Sequence, residues 1–219
     1  MRQIEWRHGH RLDSTLILLI HVFRGITIGG IVYGLFSLDW LFALSALGIL
    51  LLLYASETIE RLYGLRIPLE LELWYVAFMF GSLFLGGLLD FYSMWTWDIL
   101  MHFSSMAGIT LGAYLIGYVW WQQSRLHVPL IVIPLSAFMF ATTVGVVWEI
   151  FEFAADAWVG PYLDFQLQAS NRDTMFDFVF NSLGAGLMCV VAYLHIKSGR
   201  ARWPQSIIDR LYRENPSLK

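Results

Sequence analysis

Apolar residues along this chain gather in long runs rather than in the alternating pattern of a half-buried strand or the single stripe of a soluble helix. Six runs, at 14–36, 38–54, 71–89, 99–120, 128–151 and 176–196, are long enough to cross roughly 30 Å of hydrocarbon as helices. The pattern predicts an all-α, polytopic membrane bundle of six transmembrane helices. It leaves no room for a separate soluble domain, so residues 1–219 are expected to form a single integral membrane domain. Beyond the last run, WPQSIIDRLYR sets Ile207, Ile208, Leu211 and Tyr212 on one helical face and Arg210 and Arg213 on the other. Such a short amphipathic C-terminal tail reads as an interfacial anchor.

Composition sharpens the class: 58% of the residues are hydrophobic and only 14% charged, far from a soluble globular balance. The first run is too long for a signal-peptide core and lacks a clear cleavage site, so it is expected to remain in the mature protein. The leader histidines His8 and His10 carry no assignable role. Cys189 is the sole cysteine, which excludes an intramolecular disulfide. No internal repeat of the kind that marks inverted-repeat transporters is visible.

Charge then orients the bundle. Arg2, Arg7, Arg11, Arg61, Arg66, Arg125, Lys197, Arg200, Arg202, Arg210, Arg213 and Lys219 fall on the termini and the second and fourth loops, whereas the opposite loops hold only Arg172. Under the positive-inside rule both termini are cytoplasmic. Tryptophans at 40, 95, 97, 148 and 158 near one boundary, and at 74, 120 and 121 near the other, fit interfacial belts.

Polar residues inside this apolar frame are the candidate chemistry. Asp98 and His102 stand one turn apart where the fourth span begins, with Ser105 and Ile109 continuing their face. Glu149, Glu152 and Asp156 form a stripe where the fifth ends in WEIFEFAADAW. Asp173, Asp177, Asn181 and Gly184 form another where the sixth begins. With the orientation above, all three stripes converge on the outer face, where Asp39, Asp90 and Asp164 add negative charge. Acids at span ends also favour the helix macrodipole, and that alone would explain Asp98 and Asp173. It does not explain His102, Asp177 or Asn181, which lie one to two turns deeper.

Several carboxylates at one depth repel each other and lose hydration, so a cation or shared protons must offset them. Asp98, His102, Glu149, Glu152, Asp173 and Asp177 are the candidate metal ligands, with Asn181, Arg24, Asp156 and Arg172 as further site residues. Carboxylates with an amide oxygen suit Mg²⁺, Mn²⁺ or Ca²⁺, and the histidine leaves Zn²⁺ or iron open. Arg24 lies ten residues into the first span, about 15 Å deep. A guanidinium at that depth needs an acid, and Glu149, the deepest of its stripe, is the expected partner. Ser104, Gly108 and Gly112 form a small-residue strip suited to close helix packing. Pro134 sits where a first-turn proline is tolerated.

The order Asp-x-x-x-His, then WE-x-x-E, then D-T-x-x-D-x-x-x-N-x-x-G-A resembles YjdF-type bacterial inner-membrane proteins, themselves similar to the VanZ-like group. The resemblance rests on Asp98, His102, Trp148, Glu149, Glu152, Asp173, Thr174, Asp177, Asn181 and Gly184, within Trp97–Tyr193. The loop DFQLQASNRDT departs from the Gly-Asp-rich approach of YjdF-type members. The resemblance implies a multi-pass protein of the bacterial inner membrane. Two functions stay open. One is a metal-dependent enzyme acting on a lipid or lipid-linked envelope precursor at the outer leaflet. The other is a non-enzymatic cation or lipid-headgroup binding protein, or a proton-coupled carrier. A third, duller option is an assembly or scaffolding subunit whose acids matter only structurally. Membrane lipids are the expected partners, and nothing in the chain points to nucleic acid. The orientation itself is open to test: a Ser217→Cys variant in intact cells should resist a membrane-impermeant thiol reagent until the membrane is opened, and labelling from outside would invert the topology.

Overall fold

With no water in hydrocarbon to satisfy backbone polar groups, a spanning segment must close its hydrogen bonds within itself. Accordingly all regular structure among the described residues is helical. The structure, a computed structural model, describes residues 11–124, 127–163, 166–198 and 202–218. His8, His10, Asp164, Arg2, Arg7, Arg125, Arg200 and Lys219 lie outside the described residues.

The helices are α1 (Arg11–Phe36), α2 (Trp40–Leu53), α3 (Ala55–Tyr63), α4 (Leu69–Met79, continued by a wider π-helical segment over Phe80–Leu88), α5 (Trp95–Gln123), α6 (Val132–Trp158), α7 (Gly160–Leu163), α8 (Asn171–Ser198) and α9 (Arg202–Glu214). Among the described residues, five segments are long and apolar enough to cross a membrane: Asp13–Phe36, Leu69–Leu88, Trp95–Gln123, Val132–Tyr162 and Asn171–Ser198. The pair α2 and α3, bent by 40°, makes a sixth if taken as one span. The chain is therefore a multi-pass helical membrane protein. The helices α5, α6 and α8 continue past the ends of their apolar runs, so their acid-bearing ends are helical too.

Packing divides the chain into two compact units, one comprising Met1–Phe91 with Arg213–Asn215, the other Tyr92–Tyr212 with Pro216–Lys219. In the first, α1 packs on α2 and α4 around Ile20, Ala46, Ile49, Leu53, Leu69, Val76, Phe80 and Phe84. The Phe80 ring stacks on Phe84 and tilts against Phe23, each at 5.0 Å between centroids. Asp39 caps the start of α2, its carboxylate accepting the Phe42 N–H at 3.0 Å. Its charge thus has a structural use.

The helix α2 is 14 residues long, which at 1.5 Å per residue is roughly 21 Å, short of a crossing. It breaks at Tyr54, and a break strands carbonyls that water cannot reach. Two side chains answer them. The Tyr75 hydroxyl donates to Leu52 O at 2.9 Å, and Arg24 Nη2 and Nε donate to Leu53 O at 2.9 and 3.3 Å. Arg24 also donates to Glu57 at 2.6 Å and Glu72 at 3.4 Å, and its guanidinium lies 4.1 Å from the centre of the Tyr54 ring. The sequence reading paired Arg24 with Glu149; its partners are instead Glu57 and Glu72. Depth alone misled, because Glu57 sits just beyond the second apolar run and Glu72 at the very start of the third, and both reach Arg24 where the broken helix turns.

In the second unit α5 packs along α6 and α8, and α6 along α8. Pro134 falls in the first turn of α6, where its missing N–H costs little. The helix α9 buries Ile207 and Ile208 almost completely, so those two tail residues pack against protein rather than serving as a membrane anchor. The tail is tied down by Tyr212, which donates to Gln122 at 2.9 Å, and by Gln205, whose side-chain oxygen lies 2.9 Å from His195 Nε2. His195 Nδ1 in turn lies 2.6 Å from the Tyr114 hydroxyl. This histidine, isolated in the sequence, is fully engaged.

Replacing Arg24 with methionine should leave Glu72 and Leu53 O buried without their cation, a loss of about 3–5 kcal/mol for a broken buried pair. Thermal unfolding in detergent measures it, and an unchanged melting temperature would show that the break does not depend on this side chain.

Candidate functional site

The site lies at one end of α5, α6 and α8, and each helix brings its polar residues by simple periodicity. Asp98 and His102 are i and i+4 on α5, as are Asp177 and Asn181 on α8, and Glu149 comes from α6. Such pairs share a helix face, so rotating each helix to hide its polar face from lipid brings the five together.

What lets the helices approach is the absence of side chains at two points. A Cβ on Gly184 of α8 would run into the backbone carbonyl of Phe103 on α5. A Cβ on Gly145 of α6 would come within 3.1 Å of Asn181 Nδ2 and 3.4 Å of Met106 Sδ. The strip expected on α5 contributes less: Gly108 is buried, but Gly112 faces open space. Spacing alone marks which residues share a face, not which of them meets a neighbouring backbone.

His102 is the centre of the cluster. Its Nε2 lies 3.4 Å from Asp98 Oδ1 and 3.6 Å from Asp177 Oδ1. Its Nδ1 lies 3.2 Å from Asn181 Oδ1 and 3.9 Å from Glu149 Oε1. Glu149, Asp177 and Asn181 are each only 3% exposed, yet Glu149 Oε1, Asp177 Oδ1 and Asn181 Nδ2 have no hydrogen-bond partner. Native proteins leave few buried polar atoms unsatisfied, so three in one pocket indicate a missing partner. Asp98, His102 and Asp177 each offer one ligand atom, all within 4.8 Å of one another, a spacing that a single metal ion can bridge.

The remaining site residues read from the sequence make other hydrogen bonds or ring contacts, although Glu152 and Asp173 stay within electrostatic reach of the cluster. Glu152 accepts the indole N–H of Trp148 at 2.7 Å. Asp173 organises the start of α8: its carboxylate accepts the Ala169 N–H at 3.1 Å while Ser170 Oγ accepts its own N–H at 3.2 Å. Asp156 accepts the backbone N–H groups of Leu167 and Gln168 at 2.6 and 2.8 Å. Arg172 lies over the Phe176 ring at 5.4 Å.

Sequence reasoning missed Gln168. Its amide nitrogen donates to the Glu149 backbone carbonyl at 3.2 Å and reaches Glu149 Oε2 at 3.4 Å, held in place by the Asp156 clamp. The hint was available in DFQLQASNRDT, a loop rich in amides next to a buried acid, but a loop has no period from which to infer contact. Ile109, Phe138 and Val144 pack around the buried Met106, Ala141 and Ala185 in the same three helices, an apolar cluster beside the polar one.

The chain belongs to the family described as "Predicted membrane protein (DUF2238)", whose profile matches residues 15–198. It is similar to an uncharacterized protein of Thermotoga maritima, 30% identical over 155 residues that make up 68% of this chain and 75% of that protein. No solved structure matches. Within the family match, the Gly184 contact gives a direct check on the packing. Gly184→Ala should push α8 off α5 and cost about 1–3 kcal/mol, whereas Gly112→Ala, with open space around it, should melt with the native protein. Equal melting of both variants would remove the close approach as the determinant of the site.

Proposed function

We propose, starting from membership of that membrane family, that this protein binds a divalent cation at the α5–α6–α8 end and uses it on a lipid or lipid-linked envelope precursor at the outer leaflet of a bacterial inner membrane. The observation that carries the cation is the pair of buried, unpartnered carboxylate oxygens, Glu149 Oε1 and Asp177 Oδ1, facing one imidazole. Ionised and unpaired, they repel one another and lose hydration; a divalent cation between them offsets that charge, and shared protons are the competing arrangement. A bound ion would supply Lewis acidity toward a phosphoryl or carbonyl oxygen.

The orientation rests on the positive-inside bias and the tryptophan belts, and the inner-membrane location on the likeness to YjdF-type and VanZ-like proteins. The enzymatic half of the reading rests on the Asp98 side chain, which is 21% exposed and leaves the cluster reachable from that end. A cation or headgroup binding protein would use the same ligands and would differ in lacking turnover. A proton-coupled carrier would need a polar route to the opposite face, and the sequence offers few ionisable groups along the inner halves of α5 and α8.

Metal analysis of detergent-purified protein should find one divalent ion in the native chain and none in Asp177→Asn. Ligands must shed their protons to bind, so affinity should be lower at about pH 5.5 than at about pH 7.5. Native protein that binds no divalent ion at either pH would replace this reading with a proton-sharing pocket.

A further inference from the structure

The geometry around His102 specifies more than the presence of a cation. Building on the cation reading, we propose that Asp98, His102 Nε2 and Asp177 form a zinc-type tetrahedral site with one position left open, and that Asn181 and Glu149 are positioning residues behind the imidazole rather than ligands.

The two ring nitrogens face different chemistry. Nδ1 meets the Asn181 amide oxygen at 3.2 Å. With the Asn181 oxygen facing the ring, Nδ1 carries the hydrogen and Nε2 presents a lone pair, the tautomer a metal on Nε2 requires. That lone pair points at two carboxylate oxygens, Asp98 Oδ1 and Asp177 Oδ1. Acceptors facing acceptors repel unless something positive stands between them.

The donor set, one imidazole with two carboxylates, and the spacing together point to what stands there. An imidazolium gripping these carboxylates would draw them to about 2.7–2.9 Å. The actual separations are 3.4 and 3.6 Å. Two ligands on a tetrahedral ion with bonds of about 2.0–2.2 Å stand roughly 3.3–3.6 Å apart. On octahedral Mg²⁺ the corresponding edge is about 3.0 Å. Calcium is large enough for the observed spacing, but it takes oxygen ligands, whereas imidazole suits the zinc class. Three protein ligands with a fourth position open is the arrangement of zinc sites that do chemistry rather than hold a fold.

Glu149 then acquires a specific place. It sits on the Nδ1 side of the ring, at 3.9 Å, whereas the other two carboxylates sit on the Nε2 side. Asn181 holds the tautomer, and a carboxylate on the far side of a metal-bound histidine raises the basicity of the ligating nitrogen through its charge. Gln168 holds the far oxygen of Glu149, at 3.4 Å, and so steadies that carboxylate.

The test uses the full-length protein in detergent, stripped of metal. Zn²⁺ is titrated against a chromophoric chelator, and Co²⁺ is titrated and read by visible absorption. Native protein should bind one Zn²⁺, show the intense absorption of tetrahedral cobalt, and resist displacement by a large excess of Mg²⁺ or Ca²⁺. Asp177→Asn should lose binding; if it does not fold, Asp98→Asn at the half-buried rim serves the same purpose. Glu149→Gln should keep the cobalt band shape and the metal-free melting temperature while weakening affinity about 10–100-fold. The weak absorption of octahedral cobalt, or displacement by Mg²⁺ or Ca²⁺, would overturn the zinc assignment while leaving a cation site standing. Loss of binding in Glu149→Gln as complete as in Asp177→Asn would make Glu149 a ligand, and unchanged affinity would remove its positioning role. A native protein that binds no divalent ion would end the cation reading itself.

Discussion

A charge carried into hydrocarbon has to be met by another group of the protein, because no solvent is there to meet it. That single requirement accounts for most of what distinguishes this chain from a generic apolar bundle. In the first unit the requirement is met internally. Arg24 is 2% exposed, and it satisfies itself on Glu57, Glu72, the Leu53 carbonyl and the Tyr54 ring. The same contacts supply a donor to a carbonyl that the break at Tyr54 would otherwise strand, so the broken helix and the buried arginine each stabilise the other.

In the second unit the requirement is only partly met, and that asymmetry is where function is to be sought. Carboxylates from three helices surround one histidine, with separations too long for charge-assisted hydrogen bonds and with oxygens left over. Structural networks close on themselves, as the His195, Tyr114 and Gln205 set does at the other end of the same helices. Binding sites do not, because the last partner is the ligand. The two histidines differ in this respect, one fully engaged and one facing acids with unpartnered oxygens, and the proposed site rests on that contrast.

Close approach of backbones is the second ingredient. Gly184 against Phe103 and Gly145 against Asn181 let three helices come near enough for short side chains such as Asp177 and Asn181 to reach His102. The apolar cluster of Met106, Ala141 and Ala185 lies beside the polar one in the same helices. Other acids have a capping or loop-ordering use: Asp39 and Asp173 stabilise helix starts, and Asp156 orders the loop that delivers Gln168.

The sequence by itself determined the all-helical membrane class, the approximate spans, and the faces on which Asp98, His102, Glu149, Asp177 and Asn181 lie. These follow from length, hydropathy and the 3.6-residue period, which act locally and need no partner. Tertiary structure alone decided which polar residues meet. It assigned Arg24 to Glu57 and Glu72 rather than Glu149, drew Gln168 onto Glu149 from an aperiodic loop, and sent Glu152 to Trp148. It also turned Ile207 and Ile208 inward from what looked like a lipid-facing tail. Helical periodicity gives the direction of a side chain relative to its own axis, but the rotation and approach of one helix against another are set by packing, and a partner is defined only once both are known.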